Sequence, residues 1–94
     1  MAAFTLMRGR VESFEKFQAT FAAGEEKRRS AGMRATMVAR DAQDPGVIIV
    51  QSRWDDVAEA KKFLASDWIR ESMKAAGVQG PEMHFLEIAY EATY

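Results

Sequence analysis

The middle of the chain carries a hairpin signal that the rest of the fold must accommodate. Residues 33 to 40 alternate Met33, Ala35, Met37 and Ala39 with Arg34, Thr36, Val38 and Arg40, the period of two that gives a strand two distinct faces. Asp44-Pro45-Gly46 then turns the chain. Proline presets φ at the first central position, and glycine is expected to take a positive φ at the second. Val47-Ile48-Ile49-Val50 follows and runs on to Trp54 as the returning strand.

Helical patterns flank this hairpin on both sides. Phe4 to Val11 reads as a strand, and Ser13 as the N-cap of a helix over 14–31. Phe14, Phe17 and Phe21 recur at i, i+3 and i+7, so three rings share one stripe, opposite Glu15, Lys16, Gln18 and Glu25. Lys27, Arg28 and Arg29 fall in the last turn and read as a solvated helix end favoured by the dipole, with Gly32 as the left-handed stop. After the hairpin, Asp56 and Glu59 have capping-box spacing ahead of Val57, Ala60 and Leu64, with Lys61 and Lys62 outside. A second start at Ser66 or Asp67 opens the stripe Trp68, Ile69, Met73 and Ala76, which Gly77 ends with Val78 returning to Met73. Gln79-Gly80-Pro81 reads as a turn and Met83 to Tyr90 as the final strand, apolar except at His84 and Glu87.

The order is β-α-β-β-α-β, an α+β ferredoxin-like arrangement over residues 1–94 as a single domain. Right-handed crossovers then give a four-stranded antiparallel sheet with both helices on one face, the second helix broken in two. The bare face would expose a large apolar patch, which predicts a homodimer packed sheet to sheet about a two-fold axis.

Composition narrows the function. Thirteen basic against fourteen acidic residues argue against nucleic acid as a partner. The chain has no cysteine and one histidine, which removes thiol chemistry and any multi-histidine metal site within one subunit, so no metal and no cofactor are expected. No stretch approaches the ~20 apolar residues of a membrane span, and the first residues do not read as a leader, so a soluble, cytoplasmic protein is expected. Nucleophile elbow, P-loop and dinucleotide fingerprint are all missing.

Val50-Gln51-Ser52-Arg53-Trp54-Asp55 running into an alanine- and lysine-rich helix, Ser66-Asp67 opening a second helical turn, and Ala76-Gly77-Val78 with Pro81 before a final strand are scaffold motifs. With the element order, they make the chain resemble the dimeric α/β-barrel superfamily, whose best-known branch is the antibiotic biosynthesis monooxygenase-like domain. The resemblance spans nearly the whole chain. It implies a homodimeric barrel with a small-molecule cavity between each subunit's sheet and helices, in a branch of unknown function. Cofactor-free monooxygenases, cyclases, isomerases and haem-degrading oxygenases share this fold, so fold alone does not choose among them. Several of the monooxygenases and the haem-degrading members use an asparagine with a tryptophan, and this chain has no asparagine.

His84 is the only side chain that ordinarily titrates near neutrality and is the first candidate for moving a proton, with a half-exposed strand-end histidine as the competing reading. Tyr90 is a candidate proton donor or oxyanion partner, or else a packing cap for a dimer partner. Trp54, Trp68, Phe17 and Phe21 are candidate walls of an aromatic site and equally candidates for the core. Arg8 and Arg53 are candidate partners for a carboxylate or enolate, with an ion pair to Glu87 or a dimer interface as the alternatives. The expected function is binding of a small apolar, aromatic or polyketide-like molecule, with cofactor-free cyclase or isomerase chemistry. The alternatives are cofactor-free oxygenation of the antibiotic biosynthesis type and a non-catalytic, ligand-binding or stress-associated dimer.

Overall fold

The structure, a computed structural model, describes residues 2–94. Its elements are β1 (Ala3–Arg10), α1 (Phe14–Ala23), α2 (Glu25–Ser30), β2 (Ala35–Arg40), β3 (Val47–Trp54), α3 (Val57–Leu64), α4 (Asp67–Ala75) and β4 (Gln79–Glu87). Three helices start where a short polar side chain can accept a backbone N–H. Ser13 Oγ accepts from Lys16 N at 3.1 Å, Asp56 Oδ1 from Glu59 N at 2.8 Å and Ser66 Oγ from Ile69 N at 3.4 Å. At the far end of α4, Val78 N donates to Met73 O at 3.0 Å and Gly77 N to Lys74 O at 3.1 Å, with Gly77 at φ 75°. This is the Schellman stop that the sequence predicts.

The strands form one antiparallel sheet in the order β2-β3-β1-β4, the ferredoxin-like α+β arrangement, and the sheet stays open. Alternation divides it into two faces. Thr5 and Met7 of β1 and Ile48, Val50, Ser52 and Trp54 of β3 point to the helices and are buried. There they meet Phe17 of α1, Ala60 and Phe63 of α3, and Ala76 after α4. The opposite face carries Phe4, Leu6, Arg8, Ile49, Gln51 and Arg53, and register places Met37, Gln51, Leu6 and His84 in one row across all four strands. Among the described residues no helix is long and apolar enough to cross a membrane.

Four local expectations are corrected. The helix expected over 14–31 breaks into α1 and α2 at Gly24, a residue that disfavours helix interiors, and the Trp68 ring from α4 lies where a side chain at 24 would be. A Cβ there would sit 2.7 Å from Trp68 Cη2. Gly46 does not take a positive φ; the turn closes through Val47 N to Asp44 O at 2.9 Å, and the exposed Arg10 guanidinium lies over the glycine, where a Cβ would meet Nη1 at 2.9 Å. Gln79-Gly80-Pro81 is not a free turn but the start of β4, with Gly80 at φ 57° where the β1–β4 register shifts, and Pro81 is tolerated because β4 is an edge strand. The strand ends at Glu87, which leaves Tyr90 beyond it and 82% exposed.

Candidate functional site

The aromatic stripe of α1 does not seal against the sheet. Phe17 and Phe21 stack at 5.5 Å between centroids, and α4 brings Trp68, Ile69 and Met73 to the same space above Thr5, Val50 and Ser52. A cavity of about 80 Å³ remains between the two layers. Met7, Met33, Met73 and Met83 also line it. Methionine side chains change rotamer at little cost, so this wall can yield to a ligand larger than the resting space. The floor hydroxyls are already engaged: Thr5 Oγ1 accepts from Trp54 Nε1 at 3.2 Å, and Ser52 Oγ lies 3.0 Å from Thr36 Oγ1.

Arg28 of α2 supplies the cavity's only charge among the described residues. Its side chain lies over Phe21, with the guanidinium carbon 3.7 Å from the ring centroid, and Nη1 donates to Phe21 O at 2.6 Å. The residue is 7% exposed, and burial pushes its pKa down, though an arginine remains cationic at neutral pH. The reading of Lys27-Arg28-Arg29 as a solvated run is therefore corrected at its middle residue. Position 28 lies one i+7 step beyond Phe21 on the packed stripe, so Arg28 turns inward while Lys27 and Arg29 remain outside. Gly24 contributes here as well, since a Cβ at that position would lie 2.9 Å from Arg28 Nη1.

The residues singled out in the sequence divide among three places. Phe17, Phe21 and Trp68 line the cavity. Trp54 is in the core at 1% exposure, its ring 5.8 Å from that of Phe63, and does not line it. Arg8, Arg53, His84 and Tyr90 lie away from the cavity. Register puts His84 beside Leu6 on the open face, where Arg8 is also exposed. Arg53 and Tyr90 border a shallow cleft with Phe4 and Met37. The acidic partner of Arg53 is Glu91, not Glu87, in a two-pronged pair with Nη2 to Oε1 at 2.8 Å. Arg10 with Asp44 and Arg34 with Asp55, each at 2.6 Å, are similar surface pairs. In all three the guanidinium hydrogen bond holds the carboxyl below its ordinary pKa.

The family model for the antibiotic biosynthesis monooxygenase domain matches residues 1–75, from the first strand to the end of α4. The chain belongs to this family. Solved structures repeat the family's fold at low identity. SnoaB, a cofactor-independent oxygenase from Streptomyces nogalater, is 14% identical with a TM-score of 0.79, covering 96% of this chain and 95% of its own. Rv0793 from Mycobacterium tuberculosis is 14% identical with a TM-score of 0.75, covering 99% and 100%. A conserved protein from Methanosarcina mazei Go1 is 15% identical with a TM-score of 0.73, covering 90% of each chain. No curated protein matches the sequence. In this antibiotic biosynthesis monooxygenase-family chain the enclosed space lies on the helix side of the sheet, away from its only histidine.

Proposed function

We propose that the protein binds a small aromatic or polyketide-like molecule in the cavity under α1, α2 and α4, and oxygenates it without a cofactor, as a homodimer. The observation that carries this reading is the lining itself: Phe17, Phe21, Trp68 and four methionines around a single buried cation. Such a wall excludes water and favours a flat apolar substrate. A substrate that enters as its enolate or phenolate, its proton left in bulk water, is electron-rich enough to reduce dioxygen directly, a CH2 group and O2 becoming C=O and H2O. SnoaB, similar in fold, is described as a cofactor-independent oxygenase and has also been solved with an asparagine replaced by alanine. This chain has no asparagine. Cyclase or isomerase chemistry with His84 as the proton carrier would instead require a substrate on the open face.

The open face fits a second copy of the chain. Phe4, Leu6 and Ile49 are only half covered there, and Met37 is 56% exposed. Pairing two such faces removes that apolar surface from water and buries His84, Arg53 and their neighbours between subunits.

Oxygen uptake with a panel of polyphenols and β-diketone enols tests the chemistry. The expected result is saturable, protein-dependent uptake that benzyl alcohol inhibits competitively and that His84→Ala leaves unchanged. Substrate rearrangement without oxygen uptake, abolished by His84→Ala, would replace oxygenation with cyclase or isomerase chemistry on the open face.

A further inference from the structure

Arg28 is placed as few buried charges are. Most of the residues lining the space around it are apolar, it is only 7% exposed, and it forms no ion pair among the described residues, although the Glu25 charge acts on it from beyond ion-pair distance. Glu25, one turn earlier on α2, pairs with Arg29 at 3.4 Å. A guanidinium presents five N–H donors in a planar fork, and here the one protein acceptor is the Phe21 carbonyl. Phe21 covers one face of the guanidinium, the group lines the cavity, and its nitrogens without a protein partner are not sealed off, so they can still take an acceptor.

Removing a charge from water without an opposite charge is costly, and replacing it with an apolar side chain of similar length is often neutral or stabilising. Packing alone would be served by methionine, which this wall already uses four times. We infer that Arg28 is a ligand-binding residue that selects, among apolar molecules the cavity can admit, those carrying an anionic oxygen: a carboxylate, an enolate or a phenolate. The inference rests on the cavity being the binding site. The guanidinium edge accepts such an oxygen through charge-assisted hydrogen bonds while Phe17, Phe21 and Trp68 hold the apolar part. Phe21 plays two parts, stacking on the guanidinium and supplying the carbonyl that fixes its rotation. The same contact would stabilise the anion formed when an enol or phenol gives up its proton.

Benzoate and benzyl alcohol are the probes, being close in shape and different in charge. Each is titrated into the intact protein by ¹H–¹⁵N NMR, following the Arg28 Nε–H and Trp68 Nε1–H resonances. Benzoate should bind about tenfold or more tightly than benzyl alcohol and shift the Arg28 resonance. Arg28→Met should bring the two affinities within about twofold by weakening benzoate alone, whereas Arg28→Lys, which keeps the charge, should retain a preference for benzoate. Equal affinities in the unsubstituted protein, or a Met variant that still prefers benzoate, would overturn the role of Arg28 and leave the cavity reading standing. Binding of neither probe would overturn the cavity reading and this inference with it.

Discussion

Trp54→Ala is expected to lower folding stability by about 3–5 kcal/mol, a large share of the roughly 5–15 kcal/mol available to a small protein. Trp54 ends β3 at 1% exposure, packs on Phe63 of α3, and donates its indole N–H to Thr5 on the neighbouring strand. Alanine removes the ring and leaves the Thr5 hydroxyl without its donor, so lost transfer energy, a cavity and a lost hydrogen bond act together. Urea unfolding should show the midpoint falling at constant slope. A loss under about 1 kcal/mol would mean that the site collapses easily and that Trp54 does not join α3 to the sheet.

Phe17→Ala is expected to cost a similar amount, about 3–5 kcal/mol, with one difference that links packing to function. Phe17 is 3% exposed, stacks on Phe21 and lines the cavity, so its removal enlarges a space that a ligand can enter. At one common benzyl alcohol concentration, near a hundred times the dissociation constant of the Phe17→Ala variant, that variant should regain about 2.7 kcal/mol. Trp54→Ala creates its void away from the lining and should gain no more from benzyl alcohol than the unsubstituted protein does. Equal ligand response in the two variants would show that the void at Phe17 does not join the cavity.

The contrast between these two aromatic residues was not visible in the sequence, where both read as wall or core. Local rules carried the helix caps at Ser13, Asp56 and Ser66 and the stop at Gly77, because each depends on residues within one turn. The element order followed from periodicity, as did the division of the sheet into a covered and an uncovered face. What failed depended on distant contacts. Glycine itself marks position 24 as a weak point of the helix, but the Trp68 ring that packs against it comes from α4, far along the chain. Which face His84 occupies depends on how β4 registers with β1, and the shift at Arg8/Arg10 is hidden in a Gly-Pro pair that resembles a turn. Arg28 had a readable signal in its spacing rather than in its charge. Continuing the Phe14, Phe17, Phe21 stripe by one more i+7 step points to position 28.

The central claim is that ligands enter the helix side of the sheet while the open face pairs with a second copy, and the methionines report on both. Met7, Met33, Met73 and Met83 line the cavity, whereas Met37 lies on the open face. One ¹³C-methyl-methionine spectrum, recorded across a benzyl alcohol titration and again across a dilution series, separates the two surfaces. Benzyl alcohol should move the four cavity methyls and leave Met37 in place, and dilution through subunit dissociation should move Met37. A ligand that shifts Met37 and spares the cavity methyls would contradict it, transferring the binding site to the face that carries His84.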